Sequence, residues 1–252
     1  MFGLIRRLRR RSLLERPFPP GWEEILESHL PFYSRLNDHD RTVFRDHVKL
    51  FVWERAFIGA GGLEISDTHR VVIAGAAARL IQRLDIGVYD RLREIVVYPH
   101  DYRHPDGSAV VLGEAHNWGV VVLSFPAVLR GLANPCDGWD TALHEFAHVL
   151  DRAGGGFNGT PSLRADAHYL PWAQVMQQHF EALRGGAPAE SRVLRAYGAK
   201  NPAEFFAVAT EAFFERPSRM RALTPALFEE LRTFYGLEPT EAPECVEPTG
   251  KA

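Results

Sequence analysis

The spacing of apolar and polar residues divides the chain into helical runs around a short β segment. Residues 21–31 and 38–57 repeat at the three- and four-residue spacing of a helix, as in Val43, His47, Leu50 and Phe51, with the turn-forming "RLNDHD" between them. After "GAGG", the alanine-rich run 67–84 opens on Ser, Asp and Thr chemistry that satisfies the free N–H groups of a first turn, which predicts a third, buried helix. Residues 93–98, "REIVVY", and 119–125, "GVVVLSF", are short, dense in valine and bounded by turn formers; both predict strands. Residues 99–118 between them are rich in turn residues and read as a long loop with one further short strand. Helical spacing resumes over 125–132, 138–151, 171–184, 190–197, 202–215 and 225–235. The expected fold class is α+β, helix-rich with a small sheet.

Composition narrows the class. With 252 residues, 46% of them hydrophobic and 24% charged, the chain can bury a sizeable core. Charges interrupt every apolar stretch, so no segment reads as membrane-spanning. No internal repeat is visible, and the expected organisation is a basic, mobile segment over 1–16, one catalytic domain over 17–237, and a disordered acidic, proline-rich tail over 238–252. Five arginines fall within residues 6–11, yet neither a long apolar segment nor a small-residue cleavage site follows them. That reads as a frayed, solvated terminus in preference to a membrane or nucleic-acid contact. The net charge of −3 and the lack of a recognised DNA-reading motif agree with a chain that touches neither, and a monomer is expected. Cys136 and Cys245 are the two cysteines, too few for a disulfide framework or a thiolate cluster, and a reducing cytoplasm is expected. Any metal must then be held by histidine and carboxylate.

The segment "TALHEFAHVL", residues 141–150, supplies such ligands. His144 and His148 lie four apart and project from one helix face, so two imidazoles can bind one ion. Glu145 lies about 100° around the helix from His144, beside the ion, where it can take a proton from an activated water. A chance HExxH is expected roughly 0.04 times in a chain of this composition, so chance is disfavoured. Leu143, Phe146, Ala147 and Leu150 form an apolar stripe and "AGGG" ends the helix, which sets the motif on a buried element.

A catalytic zinc site needs three protein ligands and an open position. Continuation to HxxGxxH fails, because Asp151 and Gly154 stand where further ligand-pattern residues belong. Carboxylates are available on the predicted helix 202–215, which Asn201 caps, Pro202 begins and Pro217 closes. Glu204, Glu211 and Glu215 share one stripe of that otherwise apolar helix. Buried carboxylates need partners, although the stripe can also face water, and Glu204 can close a capping box on Asn201. Asp151 either holds the second nitrogen of a ligand histidine or caps the helix end. The strand "GVVVLSF" is a candidate edge for an extended peptide, or simply a core strand.

"PFYSRLNDHDR", "GGLEISDTHRVVIA", "HEFAHVLD" and "YGAKNPAEFFAV" together resemble the Mlc titration factor family of bacterial zinc peptidases, over roughly residues 17–237. That family is itself similar to the catalytic domain of anthrax lethal factor. The resemblance implies a gluzincin-like centre with one Zn2+ per chain, in which a glutamate on a later helix completes HExxH and a tyrosine precedes that glutamate by seven residues. Tyr197 precedes Glu204 by seven, which selects Glu204 as third ligand and leaves Glu211 as runner-up or as acceptor for a ligand histidine. Family members also carry an upstream loop histidine that reaches the zinc in a blocked state; His104 is the candidate here, with His116 as alternative. The expected roles are metal ligands His144, His148, Glu204 and His104, with Glu145 as base and Tyr197 as hydrogen-bond donor to the developing oxyanion. The implied activity is hydrolysis of peptides, aminopeptidase-like, and the implied partner is a glucose-related repressor of the Mlc type. A repressor-sequestering protein with a structural or regulatory metal is the alternative.

Overall fold

The computed structural model describes residues 2–103, 110–116, 119–240, 242 and 245. It divides into two compact units, 1–133 and 134–252. In the first unit α1 (Phe2–Leu14), α2 (Trp22–His29) and α3 (Asp38–Glu54) lead into β1 (Ala56–Gly59), α4 (Asp67–Leu80) and β2 (Glu94–Tyr98). Then come β3 (Tyr102–Arg103), β4 (Val110–Val111), β5 (Gly113–His116), β6 (Val120–Ser124) and α5 (Phe125–Ala133). The sheet order is β1-β2-β6-β5: β1, β2 and β6 run parallel, and β5 closes the edge antiparallel to β6, while β3 and β4 form a separate two-stranded ribbon. Ile95 lies opposite Phe57 on one side and Val121 on the other, so the valine-dense strands take the middle of the sheet.

The second unit is helical: α6 (Thr141–Ala153), α7 (Tyr169–Arg184), α8 (Pro188–Val193), α9 (Pro202–Glu215), α10 (Pro217–Leu223) and α11 (Pro225–Tyr235). Its core is aromatic, with Trp172 against Phe206 at 5.8 Å between ring centroids and Phe213 stacked on Tyr235 at 5.5 Å. Such packing outlasts the helices' individual propensities and fixes α9 against its neighbours.

The helix-rich α+β class is what the spacing predicts, and most elements fall within a few residues of expectation. Residues 56 and 57, the end of the helix predicted over 38–57, belong instead to β1, because pairing to β2 satisfies their backbone groups. The loop 99–118 carries three short strands where one was expected.

Three readings are corrected. The strand "GVVVLSF" is no edge: β6 is hydrogen-bonded to β2 on one side and β5 on the other, so its backbone has no free face for a peptide. The basic terminus is helical over Phe2–Leu14, because Arg10 meets Glu54 at 2.8 Å and Asp90 at 2.6 Å, partners distant in sequence. Finally, Cys136 and Cys245 form a disulfide across 109 positions, with Cα atoms 5.3 Å apart. Acidic, proline-rich composition predicts a disordered tail over 238–252, yet Ala242 is buried and its carbonyl accepts the Cys245 N–H.

Candidate metal centre

Helix α6 begins at Asp140, whose carboxylate accepts the Leu143 N–H at 3.0 Å and fixes the first turn. Every residue from Thr141 to Asp151 is buried, so His144, Glu145 and His148 point into protein. Helix α9 starts on Asn201, whose side chain accepts the Glu204 N–H at 3.0 Å, with Pro202 in the first turn. Glu204 sits one turn in, and its carboxylate turns toward the histidines of α6 and not back into a capping box.

The result is a tight convergence. Glu204 Oε2 lies 3.0 Å from His144 Nε2 and 3.3 Å from His148 Nε2. Tetrahedral zinc with ligand bonds of about 2.0–2.1 Å places its donor atoms roughly 3.3–3.4 Å apart, so these separations fit one small ion. Among the described residues, His144, His148 and Glu204 form a buried group able to hold a metal, one ligand atom from each. Two imidazoles and one carboxylate favour a borderline-soft divalent cation. The hydroxyl of Tyr197, seven residues before Glu204, donates to Glu204 Oε1 at 3.2 Å.

Glu211 is the partner of the His144 ring. Its Oε2 accepts from His144 Nδ1 at 3.0 Å, its Oε1 accepts the Asp140 N–H at 2.9 Å, and Arg195 Nη2 donates to Oε2. One fully buried carboxylate therefore orients the ring of His144 and ties down the start of its helix. Of the two places open to Glu211 by its spacing, ligand or acceptor for a histidine, its carboxylate takes the acceptor's, against His144 Nδ1. Arg195 also donates through Nε to the Gly138 carbonyl at 3.1 Å and lies over Trp139 at 4.6 Å. Arg195 is the member that sequence reading missed, since nothing in "RVLRAYG" marks a charge that will meet Glu211 sixteen positions on.

Burial opposes a charge on His144, but Glu211 and Glu204 outweigh it and push the ring up to about 10. A carboxylate at each nitrogen favours the charged form of the free ring, and a metal held at the site would take the place of the Nε2 proton. Burial also acts against the charged form of Glu204, yet hydrogen bonds from both histidines hold it far below the usual carboxylate range. His148, buried and with Nδ1 lacking a hydrogen-bond partner among the described residues, is lowered chiefly by burial. Tyr197 is raised, first by burial and then by the nearby charge of Glu204, and so keeps its proton.

Among the described residues, Asp151 pairs with backbone and not with a histidine. Its carboxylate accepts the N–H groups of Gly159 and Thr160 at 2.9 and 2.8 Å and so anchors the loop beyond α6. Gly159 permits this turn: it adopts φ 77°, and a Cβ there would meet the Pro202 carbonyl oxygen at 2.4 Å. His104 lies outside the described residues. His116 ends β5, where its backbone pairs opposite Val120.

A buried helix carrying HExxH, completed by a glutamate from a second helix, is the donor arrangement of a metallopeptidase centre. The chain belongs to the glucose-regulated metallo-peptidase M90 family, whose model matches residues 4–236. It is 35% identical over 247 residues to an uncharacterized protein of Synechocystis sp., covering 92% of this chain and 89% of that one. It is 27% identical to the Mlc titration factor A of Edwardsiella ictaluri, covering 84% of this chain and 86% of the relative. The protein of the same name from Yersinia pestis is 25% identical, with 86% and 84% covered. Among the described residues, no helix is long and apolar enough to cross a membrane.

Proposed function

We propose that the protein is a zinc-dependent peptidase of aminopeptidase-like specificity, with His144, His148 and Glu204 as ligands, Glu145 as general base and Tyr197 as oxyanion donor. The observation that carries this reading is the approach of Glu204 Oε2 to both histidine Nε2 atoms, with the Tyr197 hydroxyl on the other oxygen of the same carboxylate. When bound, zinc supplies Lewis-acid chemistry, polarising a carbonyl and making water acidic. Glu145, buried beside His144 on α6, accepts the proton of the attacking water and returns it to the leaving amine. Tyr197 keeps its proton at neutral pH and donates a hydrogen bond to the oxygen that gains charge in the transition state. Glu211, backed by Arg195, holds the ring of His144 in orientation throughout. His104 stands as a candidate fourth ligand in a blocked state, tested by whether His104→Ala raises basal hydrolysis.

Purified protein should carry about one zinc per chain and hydrolyse aminoacyl or short peptide amides. Glu145→Gln should keep the zinc and lose hydrolysis by roughly a thousand-fold or more; full activity in that variant would sink the mechanism.

A second reading, binding of an Mlc-type repressor, is favoured by the name Mlc titration factor A borne by relatives of this chain. Pull-down of such a repressor by wild type and by His144→Ala separates the two: equal capture by both assigns binding to a surface independent of the metal. A cytoplasmic setting requires the Cys136–Cys245 pair to be open in the reducing thiol pool. Alkylation of the protein at the moment of lysis, followed by mass measurement, decides it: two alkylated thiols support the cytoplasm.

A further inference from the structure

The face of α1 turned away from the rest of its unit carries a pattern that the peptidase centre does not use. The other face is committed. Arg10 donates to Glu54 and Asp90, Arg6 pairs with Asp90, and Leu13 is buried. The buried Lys49 donates to the carbonyls of Leu14 and Arg16 at 2.9 and 2.8 Å, which caps the helix end. These contacts fix the rotation of α1 about its axis. Leu4, Leu8 and Ile5 then lie on the opposite side, 65%, 59% and 59% exposed.

At 100° per residue, Leu4, Leu8 and Ile5 share one apolar face, interrupted by the exposed Ser12, with Arg7 and Arg11 along one border and Arg9 along the other. All three arginines are exposed. The helix holds five arginines and no acidic residue, in a chain whose net charge is −3, so positive charge is concentrated on this one element. Thirteen residues rise about 20 Å, too short to span a bilayer but suited to lying along its surface. Leucines reaching past the headgroups while arginines stay at phosphate level is the arrangement by which interfacial helices bind anionic lipid.

We propose that α1 is a membrane-surface docking helix, which seats the protein on an anionic bilayer through Leu4, Ile5 and Leu8 with Arg7, Arg9 and Arg11 on phosphate headgroups. The helix lies in the plane of the headgroups and stays folded on α3 when it binds. Docking on a bilayer would bring the peptidase centre to substrates concentrated at that surface, but it does not depend on the catalytic reading.

The full-length protein should co-float with vesicles of phosphatidylcholine and phosphatidylglycerol at 3:1, and not with phosphatidylcholine alone. Binding should weaken as salt is raised from 50 to 500 mM. Arg7→Gln/Arg9→Gln/Arg11→Gln should reduce partitioning on the order of a hundred-fold, and Leu4→Gln/Leu8→Gln should reduce it at least ten-fold with the arginines intact. Both variants change exposed positions, and an unaltered circular dichroism spectrum confirms the fold. Equal flotation with both lipids, none with either, or wild-type flotation of the leucine variant would each overturn the proposal. So would a lipid-free dimer that Leu4→Gln/Leu8→Gln dissolves, which assigns the stripe to a second copy. Duplex DNA binding lost in the arginine variant and retained in the leucine variant would reassign the surface to nucleic acid.

Discussion

Helices α4 and α9 are both fourteen residues long and both buried over most of their length, yet they bury opposite chemistry. From Val71 to Leu80, α4 is aliphatic except for Arg79, and it packs so closely that a Cβ on Gly75 would meet Leu30 Cδ2 at 2.4 Å. Helix α9 is as apolar in its phenylalanines and alanines, but it also buries Glu204, Glu211 and Glu215. An apolar helix needs only neighbours of the right shape; a helix with buried carboxylates needs partners placed to within hydrogen-bonding distance. Helix α4 is therefore scaffold, and α9 is scaffold that also delivers a site.

The strongest way to break this contrast is to give α4 what α9 carries. Ala74→Glu places a carboxylate at a fully buried position on an aliphatic stretch of α4, and should cost more than about 4 kcal/mol, leaving little soluble protein. A soluble variant with an unchanged urea midpoint would show that burial alone does not make the carboxylates of α9 special. The reverse experiment removes a carboxylate from α9. Glu211→Ala removes the carboxylate that Arg195, His144 and the Asp140 N–H share and should destabilise the metal-free protein by about 3–5 kcal/mol in chemical denaturation. Its zinc affinity should also fall, by roughly 10–100-fold in a chelator competition, because the ring of His144 loses its orientation.

A third test concerns an incompletely partnered group in the first unit. His47 on α3 has its Nδ1 without a hydrogen-bond partner among the described residues, and burial lowers the ring to about 4. The unfolded ring titrates near 6.5, so the stability it contributes is fully present above that pH and is lost as pH falls from about 6.5 toward 4. Wild type should lose on the order of 1–2 kcal/mol more than His47→Gln between pH 7 and pH 4.5, read from urea midpoints; parallel curves would remove the histidine from the account. The smallest effect is expected at the start of α9. Asn201→Ala removes the cap on the Glu204 N–H and should cost about 1 kcal/mol while leaving zinc bound. Loss of the metal in that variant would mean that the cap, and not packing, positions Glu204.

Much of this was legible along the chain. HExxH on a stripe of Leu143, Phe146, Ala147 and Leu150 identifies its own helix, and Asn201-Pro202 marks the start of another, because caps and helical spacing are local properties. The pairing of Tyr197 with Glu204 came from family resemblance, and the two side chains do meet in the structure. What sequence reading missed shares one cause: Arg195 with Glu211, Arg10 with Glu54 and Asp90, Cys136 with Cys245, and the second hydrogen-bonded neighbour of β6 are all partners brought together by the fold. Asp151 illustrates the limit at short range, since its partners Gly159 and Thr160 are reached only through a turn with positive φ.

By itself, then, the sequence determined which residues could carry metal chemistry and on which helices they stand, because ligand spacing, capping and apolar periodicity act within a few turns of chain. Family resemblance pointed to Glu204, but only the tertiary structure set Glu204 against both histidines and Glu211 against one ring, because both glutamates are buried on one helix and differ only in what packing sets opposite them.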